Sequence, residues 1–267
     1  MPPVKTRAIV LKTLPYRESS YILYLFTESH GLIHGVAKGI RKAKKGQSFL
    51  ERGFLLELLV YVKPQQELHL LSSVNVLEFF SSTRSSLMRS AVRDVVFELV
   101  LGAITVSDPH PEMFAFFEKV LGEIERKQES FVYPFMLWAF YQRFADLMGF
   151  ALNLDTCMLC GARIVTGNVY LSAARGGVEC AQCAGAKAEA VMIHESVRSF
   201  LKGMKRAGDV RREAGGADVK RTTRLLADFC RYHFDIRSES KALGFLEGIG
   251  GRLEAGGEGR EGLRQEA

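Results

Sequence analysis

Long apolar runs are missing from this sequence. The most apolar stretch, around Pro134–Tyr141, is broken by Gln142, Arg143 and Asp146. That falls well short of the roughly 20 apolar residues needed to cross a bilayer. The opening residues, Met1-Pro-Pro-Val-Lys5, lack the apolar core of a signal peptide. Both absences predict a cytoplasmic protein. Also missing are a phosphate-binding P-loop, since no glycine-rich stretch runs into Lys-Ser or Lys-Thr, and an H-E-x-x-H zinc-protease motif. No acidic cluster suggests a two-metal nuclease. The histidines His30, His34, His69, His110, His194 and His233 are scattered without a nearby nucleophile, and polar or capping roles account for them. Distant residues can still converge in space, so these absences weaken an enzyme reading without excluding it. There is no internal repeat.

What is present is an ordinary globular balance. The 267 residues are 47% hydrophobic and 25% charged, enough for one large domain or two to three small ones. The net charge is +6 and the pI about 9.1. A basic balance favours a polyanionic partner, although many basic proteins merely carry a solvated basic surface.

The pattern changes along the chain. Thr6–Leu11, Tyr21–Phe26, Leu32–Ala37, Phe54–Val62 and Glu67–Val76 are rich in strand-forming residues and separated by turn formers such as Pro15, Gly31, Gly53 and Pro64. Five short strands in about 80 residues suit a small closed barrel, either an OB-fold or an SH3-like barrel. From Ser86 the spacing becomes helical, with Met88, Val92, Val95, Leu99 and Ala103 on one face. Pro111 opens a second helix that runs to about Lys127. A third spans about Phe131 to Met148 with Gly149 as its cap. Further helices are expected at Glu195–Arg206 and Val219–Ile236. Residues Gly208–Ala217 read as a loop, and 248–267 as a disordered tail with too little apolar content to offset its ordering entropy.

Four of the five cysteines form two pairs, Cys157-x-x-Cys160 and Cys180-x-x-Cys183, separated by nineteen residues. Two residues between thiolates let each pair grip one tetrahedral ion from a tight turn, and four thiolates close the shell. A closed shell has no open position for water, which makes the expected zinc structural rather than catalytic. Disulfides are the alternative, disfavoured in a reducing compartment; a redox motif suits one such pair better than two. Cys230 lies in a helical apolar pattern and reads as a buried thiol.

A second cluster is cationic. Lys38, Arg41, Lys42, Lys44 and Lys45 fall within eight positions of a segment flanked by Gly35 and Gly46. On a small barrel such a loop is an electrostatic platform for single strands; a charge run is otherwise a solvated loop. Lys5, Arg7, Lys12 and Arg17 extend the patch, with Tyr16, Tyr21 and Tyr24 as candidates for base stacking or for core. Arg198, Lys202, Lys205 and Arg206 share a helix face and form either a second DNA surface or a solvated one.

Read in order, these parts resemble the RecO family of recombination mediators. The resemblance runs through Ala8-Ile-Val-Leu11, Arg17-Glu-Ser19, Phe26-Thr27, Gly31 and Val36-Ala-Lys-Gly39. It continues through Leu147-Met-Gly-Phe150, Leu154-Asp-Thr-Cys157, Cys160-Gly161 and Gly176-Gly-Val178. It closes on Arg231-Tyr-His233 and Ser240-Lys-Ala-Leu-Gly-Phe-Leu246. It covers roughly residues 4–247 and departs at the Gly208–Ala217 loop and the charged tail. The resemblance implies an α+β protein: an N-terminal OB-fold (1–80), a helical domain (81–247) and an inserted four-cysteine zinc module at about 155–185. It implies a non-enzymatic, nucleoid-associated DNA-repair protein that binds single- and double-stranded DNA and anneals complementary strands. The implied partners are RecR, the tail of the single-strand-binding protein and, indirectly, RecA. The runner-up is an OB-fold and zinc RNA-binding factor, because charge does not tell RNA from DNA.

Overall fold

The computed structural model describes residues 2–40, 50–62, 66–104, 108–129, 132–184, 190–204 and 207–248. Two compact units emerge. One runs through Arg93 and resumes at Val100–Arg126; the other holds Asp94–Leu99 and the described residues from 127 onward.

The first unit is built on five strands: β1 (Val4–Tyr16), β2 (Ser20–Thr27), β3 (Gly31–Ala37), β4 (Leu55–Tyr61) and β5 (Leu68–Glu78). They close into a barrel in the order β1-β2-β3-β5-β4, with β1 returning to β4. Every pairing is antiparallel except β3 with β5. This order is that of an OB-type barrel and resolves the alternative that strand periodicity left open. Alternation supplies the core: Ala8, Val10, Leu23, Leu25, Ile33, Leu56, Leu58, Val60 and Leu71 point inward. The register of β1 shifts between Val10 and Lys12. Such a bulge re-aims the side chains that follow it, so Lys12, Leu14 and Tyr16 lie in register with outward-facing residues of β2.

Helices follow. α1 (Ser81–Ser85) is a single turn, α2 spans Leu87–Ala103 and α3 spans Pro111–Arg126. The buried residues of α3, among them Phe114, Phe117, Leu121 and Ile124, recur at three and four positions. Phe114 and Phe117 lie with ring centroids 6.0 and 5.5 Å from Phe26, on the outer face of β2. Part of the barrel exterior is thus core. Glu125 fastens α1 by accepting from the backbone N–H of Ser82 (2.7 Å) and of Thr83 (2.8 Å) and from the Thr83 hydroxyl (2.8 Å). Gly31 packs where only hydrogen fits: a Cβ there would fall 1.9 Å from the carbonyl oxygen of Asp108.

In the second unit the helix expected from Phe131 starts as a π-helical turn, Val132–Met136, and becomes α4 at Leu137–Leu147. The physical reason is Pro134, which drives Tyr133 out of helical geometry, to φ −125° and ψ 130°. Strands β6 (Val169–Ser172), β7 (Gly177–Glu179) and β8 (Val191–Ile193) form a small antiparallel sheet. α5 spans Glu195–Leu201, not Glu195–Arg206, because Gly203 turns the chain with φ +72°. The expected loop at Gly208–Ala217 instead contains α6 (Ala207–Glu213), anchored by buried Val210 and Ala214. Burial of those two residues outweighs the glycine-rich composition that suggested a loop. α7 (Gly216–His233) and α8 (241–248) complete the unit. Buried Trp138 donates to the Thr223 hydroxyl at 2.7 Å, joining α4 to α7. The tail beyond residue 248 lies outside the described residues.

Candidate functional site

The second unit carries the cysteine cage. Asn153 starts the first knuckle: its Oδ1 accepts from the backbone N–H of Asp155 and Thr156, both at 3.1 Å. Cys157 donates its N–H to Ala162 and accepts at its carbonyl from the N–H of Gly161, both at 2.9 Å. Gly161 adopts φ +72°, the left-handed geometry this tight turn needs. The second knuckle follows the β6–β7 hairpin and is closed by the N–H of Cys183 on the Cys180 carbonyl at 3.0 Å. The knuckles are tied by the Met158 N–H on the Val178 carbonyl, 2.9 Å. A Cβ on Gly177 would meet the Asn153 carbonyl and the Met158 side chain at 2.8 Å.

These turns bring the sulfurs of Cys157, Cys160, Cys180 and Cys183 within 4.8 Å of one another. The Sγ atoms of Cys160 and Cys180 stand 4.0 Å apart, about twice a disulfide bond length, and all five cysteines are free thiols. The charge states already differ. Burial pushes the Cys157 thiol up, but the N–H groups of Cys180, Cys160 and Leu159 outweigh it and bring it to about 6. Hydrogen bonding with Cys180 and Cys160, followed by burial, pushes Cys183 up to about 12. Converting all four to thiolates at this spacing requires a cation among them, and the four can hold a metal ion. Cys230 is fully buried and burial raises its pKa, as its apolar setting in the sequence suggests.

Arg198 does not belong to a DNA surface. It is 2% exposed. Its guanidinium donates to the carbonyls of Ile164 and Val165, each at 3.0 Å, and of Leu154 at 3.4 Å. Lys202, one turn on, pairs with Asp155, whose carboxyl this contact lowers. The shared helix face is real, but it is turned onto the cysteine module. Lys205 and Arg206 lie outside the described residues. His194 caps α5, its Nδ1 accepting from the Ser196 N–H at 3.2 Å.

The barrel cations also separate. Lys5 pairs with Glu57 at 2.9 Å. Arg7 is held by two carboxylates, Glu28 and Glu118, each through contacts of 2.8 Å. Its guanidinium lowers the Glu28 carboxyl, so Arg7 offers a phosphate little uncompensated charge. Arg17 lies 5.2 Å over the Tyr16 ring at the β1–β2 turn. Lys38 is exposed just after β3 and makes no ion pair among the described residues. Arg41, Lys42, Lys44 and Lys45 lie outside the described residues. His34 was not among the expected site residues, yet its ring centroid is 4.2 Å from that of Tyr24. Lys12 approaches the Tyr24 ring, with Nζ 5.3 Å from the centroid. Positions 12, 24 and 34 meet only through strand register and the β1 bulge, which periodicity does not reveal.

A closed OB-type barrel followed by helices and a four-cysteine cage defines a class: a barrel protein with a helical body that carries a four-cysteine module able to hold a metal ion. The comparisons with known proteins are specific. The family model for the N-terminal part of recombination protein O matches residues 1–80, and that for its C-terminal part matches residues 84–242. The chain belongs to the recombination protein O family. It is 27% identical over 247 residues to the DNA repair protein RecO of Prosthecochloris aestuarii, covering 87% of this chain and 92% of that one. It is 32% identical over 181 residues to RecO of Syntrophus aciditrophicus, covering 67% and 69%. With RecO of Desulfatibacillum aliphaticivorans it shares 29% over 264 residues, covering 93% and 98%. Its family role is DNA repair. Among the described residues no helix is long and apolar enough to cross a membrane.

Proposed function

We propose that the chain binds single- and double-stranded DNA, anneals complementary strands and helps load recombinase onto coated single strands, without making or breaking a bond. The observation that carries this reading is the OB-type barrel, which keeps Lys12 and Lys38 outside any described ion pair in a chain of a DNA-repair family. Arg41, Lys42, Lys44 and Lys45 add phosphate contacts from the segment between Ile40 and Leu50. Neutralising phosphates releases counterions and lowers the repulsion between two strands. RecR, the tail of the single-strand-binding protein and, indirectly, RecA are the partners proposed from the family.

The cysteine cage holds zinc in a structural role. Zinc–sulfur bonds of about 2.3 Å set tetrahedral sulfurs roughly 3.8 Å apart, so the cage, whose sulfurs all lie within 4.8 Å of one another, needs a contraction of at most about 1 Å. Zinc would supply the charge that lets all four thiols ionise together. The residues of the module bring the two knuckles together, and Arg198 holds the chain between them.

The test is annealing of two labelled complementary strands, coated with single-strand-binding protein, with and without the chain at two salt concentrations. Acceleration without nucleotide, lost at high salt, is expected. No acceleration by folded, zinc-loaded chain overturns the annealing role. Preference for RNA in direct competition would move the assignment to RNA.

A further inference from the structure

The four sulfurs of the cysteine cage are not equally shielded. Cys157 is 2% exposed, and its Sγ accepts from the backbone N–H of Cys180 at 3.4 Å. Cys160 closes the same turn but is exposed, as are its neighbours Met158 and Leu159. Cys180 and Cys183 are half-buried. Across the gap between the knuckles the Sγ atoms of Cys160 and Cys180 stand 4.0 Å apart. A disulfide bond is about 2.05 Å long, so an approach of about 2 Å would join them. The knuckles are also held by bonds that use no sulfur. The Met158 N–H donates to the Val178 carbonyl at 2.9 Å, the Val178 N–H to the Asn153 carbonyl at 3.0 Å, and the Asn153 N–H to the Gly176 carbonyl at 3.0 Å. Arg198 fixes Leu154, Ile164 and Val165 from below. These bonds set the register in which the knuckles face each other, so Cys160 and Cys180 meet without a search through other pairings.

We infer that Cys160 and Cys180 are a peroxide-sensitive pair: oxidation links them as a reversible disulfide, empties the cage of metal and leaves the module tethered. The inference rests on the proposed zinc site and gives that site a second chemistry. Accessible thiolates are the sulfurs that peroxides oxidise first. The Cys160 thiolate attacks one oxygen of the peroxide; an S–O bond forms, the O–O bond breaks and hydroxide leaves. The Cys180 thiolate then attacks the sulfenic sulfur; the S–S bond forms, the S–O bond breaks and a second hydroxide leaves. Two thiolates have lost two electrons, the peroxide has gained them, and protons from solvent turn both hydroxides into water. Cys157 and Cys183 then remain, two ligands where a closed tetrahedral shell needs four. The cross-link between residues 160 and 180 takes over the tether that the four thiolates share through a metal. A dithiol reductant restores all four ligands. Cys230, fully buried in the helical unit, lies out of reach of the oxidant and is an internal reference.

The experiment uses the full wild-type chain incubated with zinc, and its metal content is measured before any oxidant is added. Hydrogen peroxide is then titrated in. Released zinc is read with a chromogenic chelator, and the cysteines are mapped by differential alkylation and peptide mass spectrometry, readouts that need no variant to fold. About one zinc ion per chain is expected to be released, together with a peptide pair joined through Cys160 and Cys180 and with Cys230 still a thiol. Hydrogen exchange over residues 153–184 should place the oxidised chain between the zinc-loaded chain and the chain stripped by a chelator. Dithiothreitol with added zinc should return it to the loaded pattern. Zinc retained under a large excess of peroxide overturns the inference while the zinc site stands. A cross-link within one knuckle, Cys157 with Cys160 or Cys180 with Cys183, overturns it as well, and so does oxidation of Cys160 to a sulfinic acid without a cross-link. Exchange in the oxidised chain as fast as in the stripped chain overturns the tether. A chain that takes up no zinc at the outset removes the zinc site itself, and the inference with it.

Discussion

Replacing Arg198 with methionine separates a structural role from a nucleic-acid role. The arginine is 2% exposed and donates to three backbone carbonyls, of Leu154, Ile164 and Val165. Those carbonyls belong to chain just before and between the knuckles of the cysteine cage. A hydrogen bond to a charged group contributes about 1.5–3 kcal/mol, and a buried acceptor left unmade costs about 1–3 kcal/mol. The sum is reduced by relief of burying the cation, whose Nε has no hydrogen-bond partner among the described residues. Truncating one side of a buried charged network costs about 3–5 kcal/mol; the low end, about 3 kcal/mol, is expected here. Arg198→Lys keeps the charge but not the fork and should recover little. The assay is urea unfolding at fixed zinc, with hydrogen exchange across residues 153–184 to locate the change. DNA affinity per folded, metal-loaded molecule should stay within about twofold in both variants, since the side chain does not reach the surface. Stability within about 0.5 kcal/mol of wild type would refute the structural argument, and a selective loss of DNA affinity would return Arg198 to the DNA surface.

Other outcomes follow from the same geometry. Cys180→Ser should reduce zinc from one ion per chain towards none and expose residues 153–184 to exchange, because binding energy at such a site is folding energy; unaltered metal content removes Cys180 from the shell. Gly31→Ala forces a Cβ to 1.9 Å from the Asp108 carbonyl at φ +63° and should lower the urea midpoint by an amount equivalent to at least about 2 kcal/mol; an unchanged midpoint contradicts the packing described. Glu125 titrates with a sign that can be checked. Burial raises its carboxyl, but the backbone and side-chain donors of Ser82 and Thr83 outweigh this and leave it depressed. Its contribution is therefore complete above the unfolded value of about 4.3 and is lost as the pH falls through the lower folded value. The Ser82 and Thr83 amide resonances should report a midpoint below that of a free glutamate, and Glu125→Gln should abolish the transition.

Much of the architecture is legible in the order of residues. Strand-forming runs alternating with turn formers identify a small barrel, since a half-buried strand needs only a period of two. The cysteine spacing identifies the cage, because a two-residue knuckle is a local geometry that needs no distant contact. Cys230 and His194 were readable for the same local reason, one in an apolar helical pattern and the other just before a helix. Pro111 and Gly149 mark two of the helix boundaries. Composition misleads at Gly208–Ala217, where burial of Val210 and Ala214 overrides a weak propensity. The long-range choices were decided only by tertiary structure. Helical spacing places Arg198 and Lys202 on one face but does not say whether that face meets solvent or the cysteine module. Sequence counts Arg7 as a cation, while the fold brings Glu28 and Glu118 onto it from 21 and 111 residues away. Closure in the order β1-β2-β3-β5-β4 and the bulge at Val10–Lys12 bring Lys12, Tyr24 and His34 into one row. Charge, burial and register are properties of the neighbours a residue acquires on folding, and those neighbours come from elements far apart in the chain.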